Sequence, residues 1–343
     1  MSELKKLATR RDFLKASAAV GASLGLAPLR HASAAGKFPD HNLDVVVPTR
    51  EGGAADRLAR TFCDVWSKHI GAKFEFKFYP GASGEVGYEV YLGKRAHDGY
   101  NLLFGNMGPE TIMYVVQKPP YKYPQDYVYF CRVDVDDSVV FVPQRSPFKT
   151  LKDLVAHSKQ QTVSVATSRL PHPASIGMLA LAEATGAKFN LVPYGGGNPT
   201  LSAVITGEVQ CGILPASVAI RAGDQVRILG VFSDENKLAD QMNGAPSVNK
   251  VFGTHIPDLP SAHAWAIHAD VLKKYPERFE KINATAKAVF TDPKYKEVYL
   301  KTKAPWAAIQ YGDRAVCEKY ADNMIKLAQR YSGIISASRG KKK

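Results

Sequence analysis

Few residues of this chain are arranged for covalent chemistry, and many are arranged to hold an anion. Gly52 and Gly53 follow an apolar run, Val45-Val46-Val47, that Pro48 closes. After them come Ala54, Ala55 and Asp56, and then Leu58, Phe62, Val65, Trp66 and Ile70 recur at helical spacing. Strand, glycine turn and helix in that order leave free N–H groups at the helix start, where the positive end of the dipole favours negative charge. Two adjacent glycines also let a ligand approach the backbone, because no Cβ stands in the way. Thr49, Arg50, Gly52, Gly53, Ala54 and Asp56 are therefore candidate ligand contacts. The bland alternative is a tight βα turn in which Asp56 only complements the dipole.

A second set of candidates lies in loops further along. Arg169 could grip a carboxylate with two parallel N–H bonds, which Lys cannot copy. Arg50 could do the same unless Glu51 neutralises it, and His172 could bind a carboxylate when protonated. Tyr79 and Tyr194 could stack on an aromatic acid, whereas Trp265 fits core packing better. Asn106, Ser168, Gly195, Gly196 and Ser217 complete the candidate set, all in or beside loops that follow strands.

Catalytic constellations do not emerge. Gly81, Gly84 and Gly87 give a GxxGxxG spacing, but the GxG core of a dinucleotide site is missing. Outside the N-terminal stretch 1–34 neither GxSxG nor HExxH occurs. Cys63, Cys131, Cys211 and Cys317 are far apart and lack metal-binding spacing, so free buried thiols are expected. His263 and His268, five apart on an expected strand, would face opposite ways and share no metal.

The elements that must position these residues alternate between strand and helix. Apolar runs predict strands at 43–47, 74–79, 101–104, 139–143, 163–166, 190–192, 211–214, 227–232 and 261–268. Helices are expected from 54, from 85, over 176–184, from 200, and over 273–290 and 313–331, with Thr150 capping a short one. Loops at the carboxyl ends of such strands line a crevice. Two α/β series with a late strand returning to the first describe a hinged, two-lobed binding protein. Its hinge is expected near residues 136–140 and 259–264.

The N-terminus carries an address. Thr9-Arg10-Arg11-Asp12-Phe13-Leu14-Lys15, a mildly apolar stretch over 16–29 and Ala32-Ser33-Ala34-Ala35 form a near-complete twin-arginine export signal with a cleavage site. The apolar part is too short to span a membrane. Residues 1–34 are thus excluded from the fold, and the mature protein is expected in a bacterial periplasm. The formal charge of +13 falls to +9 without them. A basic tail at Arg339, Lys341, Lys342 and Lys343 accounts for part of the remainder. A modestly basic body suits a small organic anion and lacks the clustered basic face of a nucleic-acid binder.

Taken together, several stretches resemble one family. They are Pro48 with Gly52-Gly53-Ala54-Ala55-Asp56 and Leu58-Ala59-Arg60, then Pro80-Gly81-Ala82-Ser83-Gly84 with Gly87, and Asp98-Gly99-Tyr100-Asn101-Leu102-Leu103. Val192-Pro193-Tyr194, Thr206-Gly207-Glu208-Val209 and Arg221-Ala222-Gly223 continue the series. In order and spacing the chain resembles the periplasmic solute-binding proteins of tripartite tricarboxylate transporters, the Bug family. The resemblance implies an α/β, two-lobed periplasmic binding protein of type II, each lobe a mixed, mostly parallel sheet flanked by helices. It implies lobe 1 at 35–137 and 262–343 and lobe 2 at 138–261. It further implies a monomeric receptor without enzymatic activity or cofactor. Such a receptor closes over a di- or tricarboxylate or an aromatic carboxylate and delivers it to large and small membrane subunits. First-lobe holders would be residues 49–56 and the loop at Asn106; second-lobe holders would be Ser168, its neighbours and residues 194–196. The chain departs from the family at Phe78-Tyr79, at Arg50-Glu51 and at Arg169, Pro171, His172 and Pro173, where ligand identity is set. Two other classes compete: a sensor subunit that reports to a membrane kinase through the same cleft, and an exported cofactor enzyme.

Overall fold

The computed structural model describes residues 37–340; the expected export signal lies outside them. From the chain's first strand onward the elements run β1 (Leu43–Val47), α1 (Ala54–Ile70), β2 (Phe74–Phe78), α2 (Glu85–Lys94), β3 (Asn101–Asn106), α3 (Met107–Gln117) and β4 (Tyr127–Asp134). The second series is β5 (Ser138–Pro143), α4 (Leu151–Gln160), β6 (Val163–Thr167), α5 (Pro173–Thr185), β7 (Phe189–Pro193), α6 (Gly197–Thr206), β8 (Cys211–Pro215), α7 (Ala216–Ala222), β9 (Val226–Val231) and α8 (Val248–Phe252). The chain then returns through β10 (His263–His268), α9 (Val271–Lys274), α10 (Pro276–Val289), α11 (Pro293–Leu300), β11 (Ile309–Gly312) and α12 (Arg314–Gly340).

Two mixed sheets result. The first has strand order β11-β4-β10-β3-β1-β2 and the second β7-β6-β8-β5-β9. In the first, β1 pairs in parallel with β2 and β3, whereas β10 runs antiparallel between β3 and β4. β10 thus enters the sheet from the edge at which β1 and β3 end, and sets His263 opposite Asn106. In the second, β6 is parallel to β7 and β8 while β5 is antiparallel to β8 and β9.

Burial follows the sequence pattern. Apart from the half-buried Asp44, β1 is apolar and buried on both faces, as a central parallel strand should be. On one face α1 lays Phe62 and Trp66 against Trp265, with ring centroids 5.7 and 5.0 Å apart. Burying aromatics of this size contributes roughly 2–3 kcal/mol each. On the other face Tyr88, Tyr91, Leu103, Met107 and Tyr129 form a second cluster with the first part of α12. Later residues of α12, namely Ala328, Tyr331 and Ile335, join Val165, Leu181 and Ile213 in the core of the second sheet. The last helix is therefore shared between the two sheets. All four cysteines are buried single thiols.

Two segments link the sheets, β4 to β5 and the run into β10. They lie side by side where Asp136 and Ser261 form an antiparallel bridge, within the residues expected to act as a hinge. Differences from the expected elements have local causes. The helix expected over 176–184 begins at Pro173, because His172 caps it and proline tolerates the first turn. The stretch 105–109, expected as loop, enters α3 directly, since Pro109 falls in the first turn and needs no N–H partner. The helix expected over 273–290 is divided at Tyr275, just before Pro276. β4, β11, α7, α8 and α11 were not foreseen.

Candidate functional site

The loop after β1 is shaped by Asp56. Its carboxylate accepts from Gly52 N (2.8 Å) and from Arg60 Nε (2.6 Å), so both oxygens are engaged within the first lobe. Gly52 adopts φ +73°, a left-handed conformation that side chains avoid, and a Cβ on Gly53 would lie 3.0 Å from Arg50 O. Ala54 opens α1, and Gly53 occupies its N-cap without a side-chain acceptor. Arg50 is exposed, and Glu51 pairs with Arg60 instead of with it (3.1 Å). The Thr49 hydroxyl is buried with no hydrogen-bond partner.

Asn106 ends β3 and caps α3, its N–H donating to Glu110 Oε2 (2.9 Å). Glu110 is itself buried; it also accepts from Tyr88 Oη (2.6 Å), and Tyr88 bonds Tyr129. Burial raises its carboxyl to about 7, against the lowering effects of Arg169 and its hydrogen bonds. Tyr79 is turned to its own lobe, where its hydroxyl accepts from Arg95 Nη2 (2.6 Å).

The second lobe presents two loops tied to each other. Gly195 N donates to Ser168 O and Tyr194 N to Thr167 O, each at 2.9 Å. Gly196 holds the N-cap of α6, and Tyr194 Oη reaches Glu208 (2.8 Å). Thr167 Oγ1 and Ser175 Oγ both donate to Arg169 O, at 3.2 and 3.0 Å, which fixes the backbone from which Arg169 projects. His172 Nδ1 accepts from Ala174 N (3.1 Å) as the cap of α5, and burial drives its imidazole down to about 3. A neutral capping imidazole does not offer the positive charge expected of His172.

These loops meet across the gap between the sheets. Arg169 Nη1 donates to Ser83 O (2.6 Å) and lies 3.9 Å from Glu110 Oε1. Asn198 Nδ2 donates to Gly52 O at 3.3 Å. Deeper, Ser217 donates through its N–H and hydroxyl to Asp136, whose carboxyl burial pushes up to about 7. Of the expected residues, the structure thus brings the 49–56 loop and Asn106 to the same gap as Ser168, Arg169 and the 194–196 loop. Ser217 sits beside the Asp136–Ser261 crossing, and Tyr79 and His172 serve their own lobes.

Four residues escaped the sequence reading of the site. Ser83 and Glu110 partner Arg169, and Asp134 with His263 forms a buried pair: Nδ1 lies 3.0 and 2.9 Å from the two Asp134 oxygens. Burial lowers the His263 pKa, but Asp134 outweighs it and the imidazole ends up raised. No local pattern announces such pairs, because the partners are about 130 residues apart; only the placement of β10 beside β4 joins them. Among the described residues no group of three or more His, Cys, Asp or Glu is disposed to hold a metal ion. Two surface hollows of about 580 and 690 Å³ lie against Glu89, His97 and Asp270 and against Tyr114, Lys118 and Gln329, away from these loops.

The family model of the tripartite tricarboxylate transporter family receptor matches residues 58–322. The chain belongs to this family. Its members are periplasmic solute-binding receptors and not enzymes, and the fold agrees. The protein BugT of Bordetella pertussis is 25% identical over 259 residues, covering 74% of this chain and 77% of that protein. A UPF0065 protein from the tcbD-tcbE intergenic region of Pseudomonas sp. strain P51 is 26% identical over 174 residues, and there the match spans only 52% of the relative's length. An R. palustris protein solved with adipate has the same fold, with a TM-score of 0.74 at 20% identity over 88% of this chain and 98% of that one. MatC from Rhodopseudomonas palustris, solved with malate, gives 0.72 at 18% identity over 87% of this chain and all of that one.

Proposed function

We propose that this receptor captures a carboxylated organic anion between its two lobes and delivers it to the membrane subunits of a tripartite tricarboxylate-type transporter. The observation that carries the reading is the meeting of glycine-rich loops from opposite lobes, bridged by Asn198 to Gly52 and by Arg169 to Ser83. Backbone donors at the start of α1, and at Gly196 where α6 begins, favour negative charge there. Malate and adipate in two proteins of the same fold support a carboxylate as the guest. The proposed contacts are Thr49, Gly52, Gly53, Asn106, Ser168, Arg169 and residues 194–196, with Arg50 at the rim. The lobes 35–137 with 262–343, and 138–261, close as a monomer about the Asp136–Ser261 crossing, with α12 as a shared support. Residues 1–34 direct export by the twin-arginine route.

Equilibrium dialysis against di-, tri- and aromatic carboxylates tests the reading. Binding of at least one, with a smaller radius of gyration by X-ray scattering on saturation, is expected. Indifference to all of them would remove it. Replacing Arg10 and Arg11 by Lys should leave the protein unexported.

A further inference from the structure

His263 is nine-tenths buried at the edge of the first sheet where β1 and β3 end. Its Nδ1 is committed to Asp134, and Asp134 also accepts from His263 N (2.6 Å), so the ring cannot turn away without breaking both. The other ring nitrogen, Nε2, is buried and has no hydrogen-bond partner. A buried donor without an acceptor forfeits its hydration and is rare in native proteins.

The surroundings of that nitrogen point to what it meets. β10 sets His263 opposite Asn106, and β1 pairs Val46 with Leu103. Extending that register by three residues brings Thr49 level with Asn106, and side chains level on neighbouring strands share a face. Pro48 confirms the sense, since it abuts Gly87 of α2 on the opposite face. His263, Asn106 and Thr49 therefore line up on the face covered by α1, at the edge where that helix begins. Two of the three, His263 Nε2 and Thr49 Oγ1, are buried polar atoms without partners. The ring of Phe104 lies parallel to that of His263, with centroids 5.8 Å apart, and holds its plane.

We propose that His263, oriented by Asp134, donates its Nε2–H to a carboxylate oxygen of the captured anion, with Thr49 and Asn106 completing the floor of the site. This deepens the receptor reading and rests on it. His263 becomes a specificity-determining residue, because it selects guests that bring a carboxylate to the edge of the first sheet. Asp134 is its positioning residue.

The charged groups facing His263 are Asp134 from β4, Glu110 from α3 and Asp136 from the crossing segment, and His172 faces it from the second lobe. Raising the pH would discharge the imidazolium and charge Glu110 and Asp136, and both changes disfavour an anion. Comparison between variants, more than the wild-type profile, isolates the part due to His263. Malate, adipate and benzoate are titrated calorimetrically into wild type, His263→Gln and Asp134→Asn over mildly acidic to mildly alkaline pH. The expected result is a ten- to hundredfold loss of affinity in His263→Gln, about that of one hydrogen bond to a charged group, and a flatter dependence on pH. Asp134→Asn should lose affinity mainly at the alkaline end. Histidine-labelled wild type, observed by nitrogen-15 NMR, supplies a reading that needs no variant to fold: the His263 Nε2 resonance should shift on ligand addition. Wild type that binds no acid of the wider di-, tri- and aromatic carboxylate panel overturns the receptor reading and this one with it. Wild type that binds while His263→Gln keeps its affinity, or while the Nε2 resonance stays still, overturns this proposal alone.

Discussion

The two walls of the gap differ in how far they satisfy themselves. On the second-lobe wall several polar groups already have partners: His172 caps α5, Ser217 holds Asp136, Tyr194 reaches Glu208, and Arg169 is tied across the gap to Ser83 and Glu110. On the first-lobe wall Asp56 has arranged the glycine loop, yet the Thr49 hydroxyl and His263 Nε2 end without partners. A wall that closes its own bonds is rigid and serves as a lid. A wall that leaves donors unpaired keeps its recognition capacity for the guest, at a cost in stability of order 1–3 kcal/mol per buried group. On the proposed reading the first wall would carry more of the recognition and the second more of the closure.

The largest effect should come from breaking the pair beneath the first wall. Asp134→Ala leaves His263 buried without its carboxylate, and removing one partner of a buried pair costs about 3–5 kcal/mol. Urea unfolding reads this directly. Because the His263 pKa is raised by the fold, the pair's contribution is full below the ordinary value of 6.5 and fades as pH rises through the folded value. The deficit of Asp134→Ala should therefore shrink in alkaline solution. A deficit below about 1 kcal/mol would place His263 on an ordinary solvated edge and erase the contrast between the walls.

Next comes the lid. Arg169→Ala removes a charged donor from Ser83 O and the cation beside Glu110, a loss of about 1.5–3 kcal/mol. If Arg169 serves mainly to hold the lobes together, scattering should show the ligand-free protein more open in the variant. If it serves mainly the guest, affinity should fall while the ligand-free shape is unchanged. Gly84 gives a second handle: at φ +113° it resists any side chain, and a Cβ there would press on Glu110 and Arg169 at 3.2 and 3.4 Å. Gly84→Ala should mimic part of the Arg169→Ala effect.

Much of this was legible in the chain before any coordinates. The glycine loop after β1, the helix that follows it and the parallel plan of 163–215 read directly from apolar runs punctuated by Gly and Pro. Those signals are local, and local backbone chemistry decides them. Arg169 was legible as a cleft arginine but not as one already engaged, because Ser83 is 86 residues away and belongs to the other lobe. The neutral state of His172 was not legible, for a related reason. A histidine between prolines looks like a surface loop residue, and only the packing of the lobes buries it. His263 and Asp134 share an edge only after β10 inserts against β4, so strand order, which no short window encodes, creates the pair.

The titration of the second wall gives a smaller effect of known sign. His172 sits near 3 in the fold against an ordinary 6.5, so its contribution is present above 6.5 and is lost as pH falls. Glu110 and Asp136, both raised to about 7, act the other way and weaken the fold as pH climbs from their ordinary values toward 7. His172→Asn keeps a capping oxygen for Ala174 N and removes the titration. Stability at neutral pH should change little, and the acid limb should become shallower by up to about 1.4 kcal/mol per pH unit. An unchanged acid limb would mean that the imidazole reaches water, and that the second wall is looser than its bonding implies.

The smallest effect concerns a contact that joins the second lobe to the glycine loop itself. Asn198 donates to Gly52 O at 3.3 Å from an exposed position, and the same carbonyl already accepts from Arg57 Nη1 at 2.6 Å. Deleting the amide in Asn198→Ala therefore leaves no carbonyl unsatisfied, and stability should move by less than about 0.5 kcal/mol. Any consequence should appear in the kinetics of release, because an exposed cross-lobe bond forms only once the lobes have met. A stopped-flow chase of bound carboxylate should show dissociation faster by a factor of about two, with association unaltered. Should Asn198→Ala instead match Arg169→Ala in its effect on affinity, the glycine loop would be gripped from both lobes at once, and the division between a binding wall and a closing wall would have to be redrawn around Gly52.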